Sequence, residues 1–165
     1  MNLIVLGGQS KRNEAWIENI AQEWKDYFDE IYVHHYKHWA TETKDIDLEH
    51  ELAIIAKIAP KKKYVVFAKS VGTLLTMKGI NVGLLKPQAC IFLGVPINWA
   101  HENDFPVDYL LNDLKIPTLF IHNEHDTVIS AAELKSYLGT KPLDVLPGNT
   151  HNYDDLQKMK ELVGS

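Results

Sequence analysis

Tyr64-Val65-Val66-Phe67-Ala68-Lys69-Ser70-Val71-Gly72, continued by Thr73-Leu74-Leu75-Thr76-Met77-Lys78, is the stretch around which the chain is organised. Its first part is a continuous apolar run rich in β-branched and aromatic residues, the pattern of a strand buried on both faces. In its second part the apolar residues recur at Val71, Leu74, Leu75 and Ile80, a helical spacing. Ser70 sits at the change of period, with the small residues Ala68 and Gly72 two positions to either side. A serine at so sharp a strand-to-helix turn has its hydroxyl lifted above the sheet edge. The helix behind it aims free N–H groups at any charge that develops there. The pattern is that of a G-x-S-x-G nucleophile elbow with alanine in the first glycine position. A plain serine N-cap would share part of it, so the remainder of the chain has to decide between the two.

Similar alternation runs on both sides of this stretch. Leu3–Leu6 reads as a short buried strand, and Glu14–Phe28 carries Trp16, Ile17, Ile20, Trp24 and Phe28 at helical spacing. Glu30–Tyr36 reads as a second strand, Lys37–Lys44 as a polar loop, and Ile46–Ile58 as a helix closed by Pro60 and three lysines. Beyond the elbow, Ala89–Gly94 is a buried strand and Pro96–Pro106 an irregular loop. Val107–Leu114 follows as a helix, Thr118–His122 as a strand and Ala131–Tyr137 as a helix. Leu143–Leu146 is a last strand, and Tyr153–Val163 a closing helix. Strands that alternate with helices imply an α/β three-layer sandwich: a mostly parallel sheet of about six strands with helices on both faces. In such sheets ligands meet the carboxyl ends of the strands.

The 165 residues are expected to form a single domain, residues 1–165. The formal net charge of −5 offers no basic face for nucleic acid. Cys90 is the lone cysteine, which rules out an internal disulfide and fits a reducing, cytoplasmic setting. Met1–Leu6 lacks the basic region of a signal peptide, and no apolar run reaches the roughly 18–20 residues of a membrane span. The partner expected is a small molecule or an acyl group carried on a larger one.

Three loops at strand carboxyl ends carry residues fit for chemistry. Ser70 follows the third strand, Asn123-Glu124-His125-Asp126 the fifth, and His151 the sixth. A serine hydroxyl is a poor nucleophile until a base takes its proton. His151 is the candidate base, because imidazole titrates near neutrality. Asp126 is the candidate group to fix the tautomer of that imidazole and stabilise its cation; Glu124 is its rival. The anion formed on a substrate carbonyl needs backbone N–H donors. Val71 is one candidate, and Gly8 or Gln9, in the Gly7-Gly8-Gln9 loop after the first strand, the other. That loop lacks the fuller G-x-G-x-x-G of a dinucleotide site.

His34, His38 and His122 do not have the spacing of a metal-binding helix pair, so no metal site is expected. Trp39, Trp99 and Phe105 lie on loops at the active end, where acyl-pocket and core readings are both open. The loop from Gly94 to Val107 is short, and implies an open site without a lid.

With these motifs assembled, the chain resembles the α/β-hydrolases, in particular the compact serine hydrolases related to the retinoblastoma-binding protein nine type. The resemblance is carried by Leu6-Gly7-Gly8 with Trp16 in the next helix and by Phe67-Ala68-Lys69-Ser70-Val71-Gly72. It continues in His122-Asn123-Glu124-His125-Asp126-Thr127-Val128-Ile129 and Pro147-Gly148-Asn149-Thr150-His151. The order nucleophile, acid, histidine is that of the family. The resemblance implies a minimal α/β-hydrolase fold lacking the first two strands of larger members. It also implies a Ser-His-Asp hydrolase of carboxylic esters or related acyl bonds that works without a cofactor. Two departures stand out: Ala68 in place of glycine, and Leu6 where many relatives have histidine. The rival readings are a catalytically silent binding protein of the same fold, or a phosphate- or nucleotide-binding domain built on Gly7-Gly8.

Overall fold

A computed structural model describes residues 1–164. Six parallel strands form one sheet in the order β2-β1-β3-β4-β5-β6. They are β1 (Asn2–Leu6), β2 (Ile31–Val33), β3 (Tyr64–Lys69), β4 (Ala89–Leu93), β5 (Thr118–Asn123) and β6 (Leu143–Leu146). The eight helices are α1 (Asn13–Trp24), α2 (Lys37–Thr41), α3 (Leu48–Ile58), α4 (Val71–Asn81), α5 (Ile97–Glu102), α6 (Val107–Asp113), α7 (Ala131–Leu138) and α8 (Leu156–Gly164). No helix among the described residues is long and apolar enough to cross a membrane.

The strand order places the site. After β1 the chain steps outward to β2, then returns across β1 to β3, and continues in the other direction through β4, β5 and β6. Right-handed crossovers that run in opposite directions put their helices on opposite faces. Thus α1 covers one face, and the contacting series α3, α4, α6 and α7 covers the other. The reversal lies between β1 and β3, which pair in register from Asn2 opposite Tyr64 to Leu6 opposite Ala68. The loops that leave these two strands open side by side, the usual place for a site in a parallel sheet.

Packing follows the strand alternation. Phe67 meets Trp16 and Trp24 of α1, with ring centroids 5.8 Å and 4.6 Å away. Lys69, two residues on and hence on the same face, lies with its ammonium 4.8 Å from the Trp16 ring centre. β1 is wholly buried between its neighbours, which explains its unbroken apolar run after Asn2.

Several boundaries differ from the sequence reading. The loop expected over Lys37–Lys44 contains α2, and the irregular loop over Pro96–Pro106 contains α5. Both helices are too short to show a period. Edge strand β2 ends at Val33 rather than Tyr36, near the point where its partner β1 runs out. α1 ends at Trp24 rather than Phe28; Phe28 still stacks on Trp24, 6.1 Å between centroids. The last helix starts at Leu156 rather than Tyr153, because Tyr153 has φ 56° and its hydroxyl is drawn toward Asp126.

Gly72 is the tightest joint between the elbow and the sheet. A Cβ there would stand 2.9 Å from Leu6 Cβ and 3.0 Å from the carbonyl oxygens of Leu6 and Gly7. The end of β1 cannot retreat, since it is a central strand. Gly72→Ala is therefore expected to lower stability by about 1–3 kcal/mol, the usual cost of overpacking a core. Urea unfolding checks this, and an unchanged midpoint would show that the joint has room.

Candidate active site

The backbone at Ser70 is strained, with φ 52° and ψ −124°. A non-glycine residue held there costs of order 1–3 kcal/mol and persists only when its surroundings fix it. The Ser70 N–H donates to the Leu93 carbonyl of β4 at 2.9 Å. The Ser70 carbonyl accepts from the Thr73 hydroxyl at 2.6 Å. Between these anchors the side chain turns up from the sheet edge, 8% of the residue remaining exposed.

The hydroxyl of Ser70 faces His151, with Oγ 2.8 Å from Nε2. On the other side of the ring, Nδ1 lies 2.7 Å from Asp126 Oδ2. The chain is consistent when Asp126 accepts from Nδ1–H and the free Nε2 accepts from the serine hydroxyl. Asp126 also accepts the Val128 N–H on Oδ1 and the Tyr153 hydroxyl on Oδ2, both at 2.8 Å. Burial pushes the Asp126 carboxyl up. The His151 hydrogen bond and charge, with Val128 N–H and the Tyr153 hydroxyl, outweigh this and hold it below the ordinary aspartate value. It is an anion at neutral pH.

The histidine loop is clamped from several elements. The Tyr153 carbonyl accepts from Trp16 Nε1 of α1 at 2.9 Å, and the Tyr153 hydroxyl accepts the Asn123 N–H of β5 at 3.0 Å. Asn123 Nδ2 donates to the Thr150 carbonyl at 2.9 Å, and Lys69 Nζ donates to the Asn152 carbonyl at 2.7 Å. Gly94, just past β4, has φ +57°, and a Cβ there would stand 2.9 Å from the His151 ring and 2.7 Å from that of Tyr153. Only glycine leaves the imidazole its place.

The Gly7–Ser10 loop comes up beside Ser70. A Cβ on Gly8 would lie 3.3 Å from Ser70 Cβ. The carbonyls of this loop are engaged from the other side. Tyr36 donates its hydroxyl to Gly7 at 2.8 Å, and Gln9 accepts from Trp39 Nε1 at 2.9 Å, with His38 Nε2 also 2.5 Å from it. Asn13, at the start of α1, holds Ser10 with its Nδ2 at 2.9 Å. Gly8, Gln9, Val71 and Trp99 line a cavity of about 220 Å³ with Ser70 and His151.

The structure thus brings Ser70, His151, Asp126, Gly8, Gln9, Val71 and Trp99 together. Trp39 is set apart: it is buried on α2, holds the Gln9 carbonyl, and lines a neighbouring cavity of about 580 Å³ that shares Gln9 and Ser10 with the first. Glu124 and His125 point to solvent. The histidines weighed as a metal cluster have separate partners: His34 contacts Glu51 at 2.6 Å, His38 the Gln9 carbonyl, and His122 the Ile129 carbonyl at 2.6 Å. Tyr153, Gly94, Lys69 and Arg12 were not singled out as site residues by the sequence. The one signal for Tyr153 was its place two residues beyond His151.

No family model matches the chain, and no curated protein matches it. Solved structures do. N-formylmaleamic acid deformylase from Pseudomonas putida S16 superposes with a TM-score of 0.71 at 12% identity, over 98% of this chain and 91% of that one. A thioesterase domain from the curacin biosynthetic pathway gives 0.72 at 12%, over 99% and 90%. Est1E from Butyrivibrio proteoclasticus, solved with ferulic acid bound, gives 0.73 at 15%, over 98% and 86%. At these identities the likeness is one of fold, and the fold is that of the α/β-hydrolases.

Removing the Tyr153 hydroxyl tests how the acid is held. Tyr153→Phe leaves the buried Asn123 N–H without its acceptor and Asp126 with one donor fewer, and should cost about 1–3 kcal/mol by urea unfolding. The Asp126 carboxyl should titrate higher in the variant by carbon NMR. A depressed carboxyl gives stability that is present above the ordinary aspartate pKa of about 3.9 and lost as the pH falls through the folded value. The acid loss should therefore still begin near the ordinary value in the variant, but be smaller and be complete at a higher pH. An unmoved titration would contradict the assigned hydrogen bond.

Proposed function

We propose that the chain is a serine hydrolase that cleaves carboxylic ester or related acyl bonds. The observation that carries this reading is the unbroken hydrogen-bond chain from Ser70 through His151 to Asp126. Ser70 Oγ attacks the acyl carbon while His151 Nε2 takes its proton, and Asp126 stabilises the imidazolium. The carbonyl oxygen becomes an oxyanion. It is met by the N–H of Val71, at the start of α4, and by one from the Gly8-Gln9 turn. Collapse of the intermediate expels the alcohol, thiol or amine, which leaves with the proton from His151. Water then attacks the acyl-serine, gives a proton to His151, and releases the acid as that proton returns to Ser70.

The structural neighbours support acyl chemistry, since a deformylase and a thioesterase domain stand among them. Gly7-Gly8, the Ser70 elbow, the Asp126 loop and the His151 loop favour the compact group related to the retinoblastoma-binding protein nine type. Trp99 and Pro96 form one wall of the cavity beside Ser70. They come from the segment where larger hydrolases insert a lid, so this wall is a short helix, and a small acyl group is the fitting occupant. Trp39 serves the site indirectly, by fixing the Gln9 carbonyl.

Simple aryl esters test the reading. Wild-type protein should release 4-nitrophenol from 4-nitrophenyl acetate. Ser70→Ala and His151→Ala should each lose most of the roughly millionfold contribution of a triad acting as a unit. Circular dichroism should show both variants folded. Undiminished turnover in folded Ser70→Ala would place the chemistry elsewhere.

A further inference from the structure

The cavity beside Ser70 has an unusual charge balance. In a chain with a formal net charge of −5, its lining includes Lys69 and Arg12 and no aspartate or glutamate. Lys69 is the residue just before Ser70 and is only 3% exposed. Its Nζ donates to the Asn152 carbonyl at 2.7 Å and lies against Trp16. It has no ion-pair partner among the described residues. A buried ammonium without a direct ion pair is costly. Burial lowers the Lys69 pKa to about 8, Asp154 and Asp126 pull it up, and Arg12 pushes it down further, so it is mainly charged at neutrality. Arg12 is fixed to the same residue from the other side, its Nη1 donating to Asn152 Oδ1 at 2.6 Å. Arg12 Nη2 also pairs with Asp154 at 3.4 Å, an acid that lines an adjoining groove shared with Arg12 and not the cavity itself. Asn152 thus gathers two cations at one wall, next to the nucleophile.

We propose that this wall is an anion subsite. The substrate attacked by Ser70 carries a carboxylate or phosphate close to its acyl bond, and Lys69 and Arg12 supply the counter-charge. The bare alternative is that both cations only fasten the histidine loop through Asn152. That role would serve neutral and anionic substrates alike, so a ratio of rates separates the two. The proposal rests on the hydrolase reading, and the test keeps their failures apart.

Two substrate pairs are compared by kcat/KM at neutral pH, with labelling of Ser70 by a fluorophosphonate as a parallel readout. Mono-4-nitrophenyl adipate against 4-nitrophenyl hexanoate places the charge on the acyl side. 4-Acetoxybenzoate against its methyl ester places it on the leaving side, with rates normalised to alkaline hydrolysis. The anionic member of one pair should be favoured by about tenfold or more, the scale of a charge-assisted hydrogen bond, and that pair names the side. The ratio should fall toward one in Arg12→Gln and in Lys69→Met; any loss of loop positioning cancels within each ratio. Should Lys69→Met not fold, the wild-type ratio and Arg12→Gln still decide. Ser70 labelled with no preference in either pair, or with a preference that survives both substitutions, overturns the subsite. Ser70 unlabelled and all four substrates untouched overturns the hydrolase reading, and the subsite with it.

Discussion

The site depends on one backbone conformation. Ser70 is held at φ 52°, ψ −124° between the last residue of β3 and the first of α4. The strain is sustained because the sheet leaves the peptide no alternative. Its N–H is tied to β4, and the first turn of α4 lies against the end of β1 at Gly72. The Ser70 hydroxyl is therefore raised by the same three central strands that form the core. Strand pairing, helix start and hydroxyl direction are one structural fact, and a site mounted this way keeps its geometry before any ligand arrives.

The imidazole is positioned by different means. His151 stands on a loop with no regular structure, and its place is set by side chains that reach in from α1, β3 and β5. Trp16, Lys69 and Asn123 hold the backbone on either side of it, while Tyr153 and Val128 hold the carboxylate that faces it. The glycine loop after β1 is ordered by a third set, Tyr36, His38 and Trp39, through its carbonyls. Glu51 supports that set from α3, since its buried carboxylate accepts the Lys37 N–H at the start of α2 as well as facing His34. Rigid strands hold Ser70, and a shell of buried polar contacts brings His151 and Asp126 to it.

How much of this could be read from the sequence follows from the range of the interactions. The β3–elbow–α4 unit is local: a change of hydrophobic period with a serine between small residues is visible in nine consecutive positions. The ends of β5 and β6 could be read to within one residue, and with them the loops bearing Asp126 and His151. Helices α2 and α5 could not, because five or six residues do not establish a period and their stability comes from tertiary contacts. Trp39 and Trp99 are alike in the sequence, both aromatic on apparent loops; only the strand order shows that one backs the Gln9 carbonyl and the other lines the cavity with Ser70. Gly94 and Tyr153 were hidden for the same reason. Their meaning lies in a contact between segments more than fifty positions apart in the chain.

The most direct test of the central claim is a crystal structure of the protein after reaction with a fluorophosphonate. The phosphorus is expected on Ser70 Oγ, with the His151 ring still bridging to Asp126. The phosphoryl oxygen should lie within hydrogen-bond distance of the Val71 N–H and of an N–H from the Gly8-Gln9 turn. An adduct on another side chain, or one on Ser70 with its phosphoryl oxygen turned away from both amides, would contradict the account.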